Sequence, residues 1–131
     1  MAKILLIEDE EALGGMLTGF LSSAGHEVKH VLSAEDALKA GDFAADLLLV
    51  DHGLPGKKGI DALPDLKKIF SFSKIVILSN FDQKDYMERA KANGADGFWM
   101  KIKATQKLSE LVKEILEDTK TNSFEIFPQK I

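Results

Sequence analysis

Four apolar runs in this chain stop abruptly at polar residues. Leu47-Leu48-Leu49-Val50 ends at Asp51, and Ile4 to Ile7 ends at Glu8-Asp9. Ile75 to Leu78 ends at Ser79-Asn80, and Gly97 to Met100 ends at Lys101. Taken singly, each is the plain case of a buried segment reaching water. Taken together they supply three carboxylates, a hydroxyl and an ammonium from corresponding positions. Crowded acids repel one another, so a cation belongs among them. Ligands that are all oxygen favour a hard ion, Mg²⁺ foremost. With a lysine and a hydroxyl, such an ion suits the oxygens of a transferring phosphoryl group. A carboxylate can act as nucleophile and form an acyl phosphate. Asp51 is the choice for that role, because it stands alone while Glu8 and Asp9 form a pair.

These residues meet only if the runs are parallel strands with their carboxyl ends on one edge, where sites in open α/β sheets form. The pattern supports that. Lys3 to Ile7, Asp46 to Val50, Ile75 to Leu78 and Gly97 to Met100 read as strands, with a weaker one at Glu27 to Leu32. Between them lie helix-period segments. Leu13, Met16, Leu17, Phe20, Leu21 and Ala24 form one helical face, closed by Gly25. Ser33 and Asp36 predict a capped short helix ending at Gly41. Ile60 to Phe70 predicts a helix that Pro64 kinks or delays. Asp82 predicts the cap of a helix reaching Asn93 and Gly94, and Thr105 the cap of the last helix. The alternation βαβαβαβαβα implies a parallel sheet with helices on both faces. Residues 121–131 show no helix period and read as a tail or the start of a linker.

The 131 residues suit one domain, and a hydrophobic share of 45% permits a real core. No run approaches the roughly 18 apolar residues of a membrane span, and the start shows no signal-peptide pattern. Absence of cysteine excludes disulfides, thiolate zinc sites and thiol nucleophiles, and agrees with a cytoplasmic setting. A formal charge of −4 argues against direct nucleic-acid binding.

With the four polar strand ends in hand, the chain resembles the receiver domain of bacterial two-component response regulators. The segments that carry the resemblance are ILLIEDE (4–10), LLLVDHGLPGKKG (47–59), ILSN (77–80) and GADGFWMKI (94–102). It covers about residues 2 to 120, so a receiver domain over 1–120 is expected. The resemblance implies a flavodoxin-like, doubly wound five-stranded parallel sheet in the order 2-1-3-4-5. It implies that Asp51 accepts phosphate from a sensor histidine kinase or a phosphotransfer protein. Asp9 would bind Mg²⁺ directly, Glu8 through water, and Gly53 through its carbonyl. Ser79 would be the switch hydroxyl, Phe98 the aromatic that swings inward with it, and Lys101 the partner of a phosphoryl oxygen. The face of the fourth helix, fifth strand and fifth helix would change its preference for an output protein, and admits a homodimer. The protein would phosphorylate and dephosphorylate itself without being a metabolic enzyme.

Two positions depart from the family. Ile102 stands where a proline with a cis bond is usual. A cis bond to a non-proline residue costs about 2.5–4 kcal/mol, so a trans bond and a rearranged loop are expected. Asn80 follows the switch hydroxyl in place of Ala or Gly, which predicts an altered phosphate lifetime. Gly14, Gly15 and Gly19 fall on the outer face of the first helix, as plain weak points or as a smooth docking face. His52 points away from Asp51, since neighbouring strand residues face opposite ways. His26 and His30 lack partners at metal-binding spacing. Lys57-Lys58 reads as a solvated turn, and Trp99 as core.

Two rival readings are open to test. A receiver-like interaction module that is never phosphorylated would explain Ile102 and Asn80. The intact acids, Ser79 and Lys101 count against it. A flavodoxin-like cofactor binder needs a phosphate loop after the first strand, and EDEEALGG is acidic there. A phosphatase using Asp51 wants a second acid two residues on, where Gly53 stands.

Overall fold

The central strands are apolar on both sides, so helices must cover each face of the sheet. A computed structural model describes residues 1–80 and 84–117 and, for Ile102 and Lys103, the backbone. The elements run β1 (Lys3–Ile7), α1 (Glu11–Ser23), β2 (Glu27–Val31), α2 (Ala34–Leu38), β3 (Leu47–Asp51), α3 (Gly59–Ile69), β4 (Lys74–Ser79), α4 (Lys84–Ala92), β5 (Gly97–Met100), α5 (Lys101–Gln106) and α6 (Leu108–Leu116). All pairings are parallel, in the order β2-β1-β3-β4-β5. This is the doubly wound arrangement expected.

Alternate residues of each strand serve opposite faces. Leu5, Ile7, Val50 and Ile77 pack with Ala37, Leu63, Ala90 and Phe98, on the side of α2, α3 and α4. Ile4, Leu6, Leu49 and Trp99 pack with Leu17, Leu21 and Val112, on the side of α1, α5 and α6. Trp99 is fully buried, as the sequence suggests. The chain leaves β1 toward β2 and then crosses back to β3. The loops after β1 and β3 therefore diverge and leave a crevice at the sheet's carboxyl edge.

Several local expectations need correction. Thr105 does not cap the last helix. The chain turns helical at Lys101, directly after β5, and Thr105 sits inside α5 donating its hydroxyl to the Lys101 carbonyl at 2.8 Å. That back-bond satisfies the hydroxyl within the helix, and the break comes at Lys107 instead. The last helix of the sequence reading is thus α6. The rearranged link after Lys101 is this short helix, and no described peptide bond is cis. Pro64 does not delay α3, which begins at Gly59; its ring lies on the exposed side. Ser33 caps α2 by accepting from the Asp36 amide at 3.0 Å, but the helix stops at Leu38, short of Gly41. Gly14 is buried rather than on the outer face of α1, while Gly15 and Gly19 are exposed. Asp82 and the tail at 121–131 lie outside the described residues.

Candidate functional site

Parallel register brings the strand ends level. Asp51 pairs with Leu78 and Ser79 with Met100, so Asp51, Ser79 and Lys101 emerge side by side. Glu8 continues β1 by donating its amide to the Val31 carbonyl at 3.0 Å. Carboxylate oxygens of Glu8, Asp9 and Asp51 all lie within 4.8 Å of one another. Glu8 and Asp51 are 1% and 3% exposed, whereas Asp9 opens to solvent. Lys101 reaches between the two buried acids, with Nζ 2.8 Å from Glu8 Oε1 and 3.3 Å from Asp51 Oδ1.

The two buried carboxylates are also held by the main chain. The Gly53 amide donates to Asp51 Oδ1 at 3.1 Å, and the Glu10 amide to Glu8 Oε2 at 3.0 Å. Ser79 is 1% exposed at the end of β4, and Asn80 beside it is exposed. Phe98 is already buried, at 2% exposure, in the cluster that includes Ala90 of α4. His52 turns toward α4, its ring 4.9 Å from that of Tyr86, and burial holds its imidazole below the usual range.

The electrostatics follow from two buried acids sharing one ammonium. Burial pushes the Asp51 carboxyl above the usual carboxylate range, and the Glu8 charge pushes the same way. Lys101 and the Gly53 amide pull it down without prevailing. For Lys101, burial works to lower the pKa, but the bond to Glu8 and the charge of Asp51 outweigh it, and the ammonium is held above its ordinary value. Three carboxylates against one ammonium leave two uncompensated negative charges when all are ionised. A divalent cation would match that excess. The donors are hard oxygens with one open, solvent-facing side at Asp9, which suits Mg²⁺ and its retained waters. A surface cavity of about 610 Å³ lies at the opposite edge, lined by His26, Asp46 and Lys113, and includes none of these acids.

The sequence does not reveal the structural part that two residues of the site play. Gly59 is buried under the end of β3, where a Cβ would stand 2.5 Å from the Asp51 carbonyl oxygen and 3.0 Å from His52 Cα. Only glycine lets α3 start this close to the end of the Asp51 strand. Its signal was present as the last glycine of PGKKG. The second is His30, whose Nε2 lies 2.8 Å from the Glu8 carbonyl oxygen. Lys58 is not simply solvated: its ammonium donates to the Leu54 carbonyl at 3.1 Å and ties down the loop after β3.

A five-stranded parallel sheet of this order, with an acidic cluster at its switch point, defines the class: doubly wound, flavodoxin-like α/β proteins. Within it, the chain belongs to the response regulator receiver domain family, whose model matches residues 4–113. It is 32% identical over 123 residues to the phosphate regulon transcriptional regulatory protein PhoB of Rhizobium meliloti, covering 92% of this chain and 54% of that protein. It is 35% identical over 101 residues to the two-component response regulator PhoP of Pseudomonas aeruginosa, covering 76% and 44%. The chain thus spans about half the length of these curated relatives. Its fold matches that of a LuxR-family two-component response regulator from Aurantimonas with a TM-score of 0.85 at 21% identity, covering 94% and 90%. The chain is a receiver domain, a phospho-accepting signalling module of the two-component type. Among the described residues, no helix is long and apolar enough to cross a membrane.

Proposed function

We propose that Asp51 is the phosphoacceptor and that Lys101, Glu8, Asp9 and Gly53 make its attack possible. The observation that carries this is the convergence of three carboxylates within 4.8 Å, with Lys101 bridging two of them. An Asp51 oxygen attacks the phosphorus of a phosphohistidine on a kinase or phosphotransfer protein. The O–P bond forms, the P–N bond breaks, and its electron pair stays on the imidazole, which takes up a proton. Lys101 offers its ammonium to a phosphoryl oxygen as charge shifts from the attacking carboxylate. Asp9, Asp51 and the Gly53 carbonyl would hold Mg²⁺, with Glu8 reaching it through water, and the ion would supply further neutralisation of the phosphoryl oxygens. Burial keeps the Asp51 carboxylate largely free of water, which strengthens each of these interactions.

Phosphorylation adds about −1.5 to −2 charge and three acceptor oxygens beside Ser79. The Ser79 hydroxyl closes on those oxygens and draws in the end of β4. Phe98 stabilises the result from its inward position, and the face of α4, β5 and α6 passes the change to an output protein or a second copy.

Incubation with acetyl phosphate and Mg²⁺, read by intact mass, is expected to add one phosphoryl group to the wild type and none to Asp51→Asn. No gain in the wild type would favour the unphosphorylated interaction module. Asn80 stands exposed next to Ser79, and Asn80→Ala is expected to change the rate at which the added mass is lost.

A further inference from the structure

The Glu8 peptide is held from β2 on both sides. Its amide donates to the Val31 carbonyl at 3.0 Å. Its carbonyl accepts from Nε2 of His30 at 2.8 Å, which assigns the proton to that nitrogen because a carbonyl oxygen has none to give. The regular ladder does not supply this second bond: β2 ends at Val31, and among the described residues no backbone N–H donates to the Glu8 carbonyl. A side chain replaces the missing rung.

The imidazole reaches that carbonyl by lying over α1 at Gly14. A Cβ on Gly14 would collide with Cε1, Nε2 and Nδ1 of the ring. Gly15 and Gly19 of the same helix have nothing within 4 Å of the equivalent point. One glycine of the three is therefore shaped to the histidine.

The Glu8 carbonyl and the Asp9 amide belong to one planar peptide unit. Fixing that plane sets ψ of Glu8 and φ of Asp9 together, and hence the directions in which the two carboxylates leave the chain. Glu8 turns inward to Lys101, and Asp9 opens to solvent within reach of Asp51. We propose that His30 is a positioning residue for the Glu8-Asp9 pair, with Gly14 as the space it requires. The proposal rests on the reading of the acidic cluster as a Mg²⁺ site.

The test is calorimetric titration of Mg²⁺ into the full chain, with the Asp9 amide followed by NMR. His30→Leu keeps bulk but loses the donor, and is expected to bind Mg²⁺ about 10-fold more weakly, the effect usual for an outer-shell partner. It should also shift the Asp9 amide before any metal is added. His30→Gln retains an N–H donor and is expected to restore most of the affinity. Gly14→Ala should weaken binding when His30 is present and do nothing further in a His30→Ala background. Wild-type affinity and an unmoved Asp9 amide in folded His30→Leu overturn the proposal. Should that variant fail to fold, wild-type affinity in Gly14→Ala overturns it equally. A wild type that binds Mg²⁺ but takes no phosphoryl group from acetyl phosphate sinks the phosphoacceptor reading and leaves the His30 comparison standing. A wild type that binds no Mg²⁺ overturns both.

Discussion

Asp51 carries its charge at a cost to the fold. Its pKa is raised by burial and by Glu8, so the folded state binds a proton more readily than the unfolded chain does. Stability therefore falls as pH rises from the ordinary carboxylate range through the raised value, and the penalty is fully present above it. Asp51→Asn removes that charge and keeps an oxygen for the Gly53 amide. It is expected to melt at a higher temperature than wild type at neutral pH without metal. Added Mg²⁺ should narrow the gap, since it stabilises the wild type by binding the folded acids. A lower melting temperature for the metal-free variant would contradict the charge assignment. Lys101 behaves oppositely. Its side chain is 11% exposed and touches both buried acids, so Lys101→Met leaves two carboxylates without their ammonium. Removing one partner of a buried ion pair costs about 3–5 kcal/mol. Urea unfolding without Mg²⁺ should show a loss of that order, and a loss under 1 kcal/mol would mean the pair is solvent-screened.

Among the elements, glycine positions divide into those with a steric task and those without. Gly59 lets the first turn of α3 approach the end of β3, against backbone atoms that cannot move aside. Gly59→Ala is expected to destabilise by about 1–3 kcal/mol, as for other insertions into a packed site. Phosphorylation of Asp51 should slow in parallel, because the strand end shifts. Gly15 and Gly19 are exposed in mid-helix with free space around them. Gly15→Ala is expected to stabilise by about 1 kcal/mol through helix propensity alone. Denaturant midpoints for the two variants should move in opposite directions; a common direction would refute the division. Spacing on a helical wheel put all three α1 glycines outside, whereas the His30 ring singles out Gly14.

For the whole molecule, pH dependence near neutrality includes a contribution from the edge opposite the acids. His26 Nδ1 accepts from the Ala2 amide at 3.1 Å, joining the start of β1 to the start of β2. Burial, and next the positive N-terminus, hold its pKa below the usual value. On acidification the unfolded chain takes up the proton first, so this contribution is present above the ordinary histidine pKa of about 6.5 and is lost as pH falls toward the lowered value. His26→Asn keeps an acceptor near the Nδ1 position and cannot titrate. Its stability is expected to vary less than wild type between about pH 6.5 and 5, read from urea midpoints. Identical slopes for the two proteins would remove His26 from the account.

Strand content, layering and the identities of the rim residues were legible before any coordinates. A strand buried on both faces must be an unbroken apolar run, so its end is marked wherever a charge first becomes tolerable, as at Asp51 and Lys101. Helix boundaries were less legible. Thr105 has the chemistry of a cap, but the same hydroxyl is satisfied by a carbonyl one turn back, and only the path of the chain out of β5 chose between them. That the rim residues converge was legible, but the particular contacts they make across elements were not. That Lys101 would bridge Glu8 and Asp51, that Gly59 would lie against the Asp51 carbonyl, and that His30 would reach over Gly14 to Glu8 depend on strand register and helix approach. Burial and periodicity act on neighbours along the chain and leave their trace in its order. Distances between segments are settled by packing, which no single segment records.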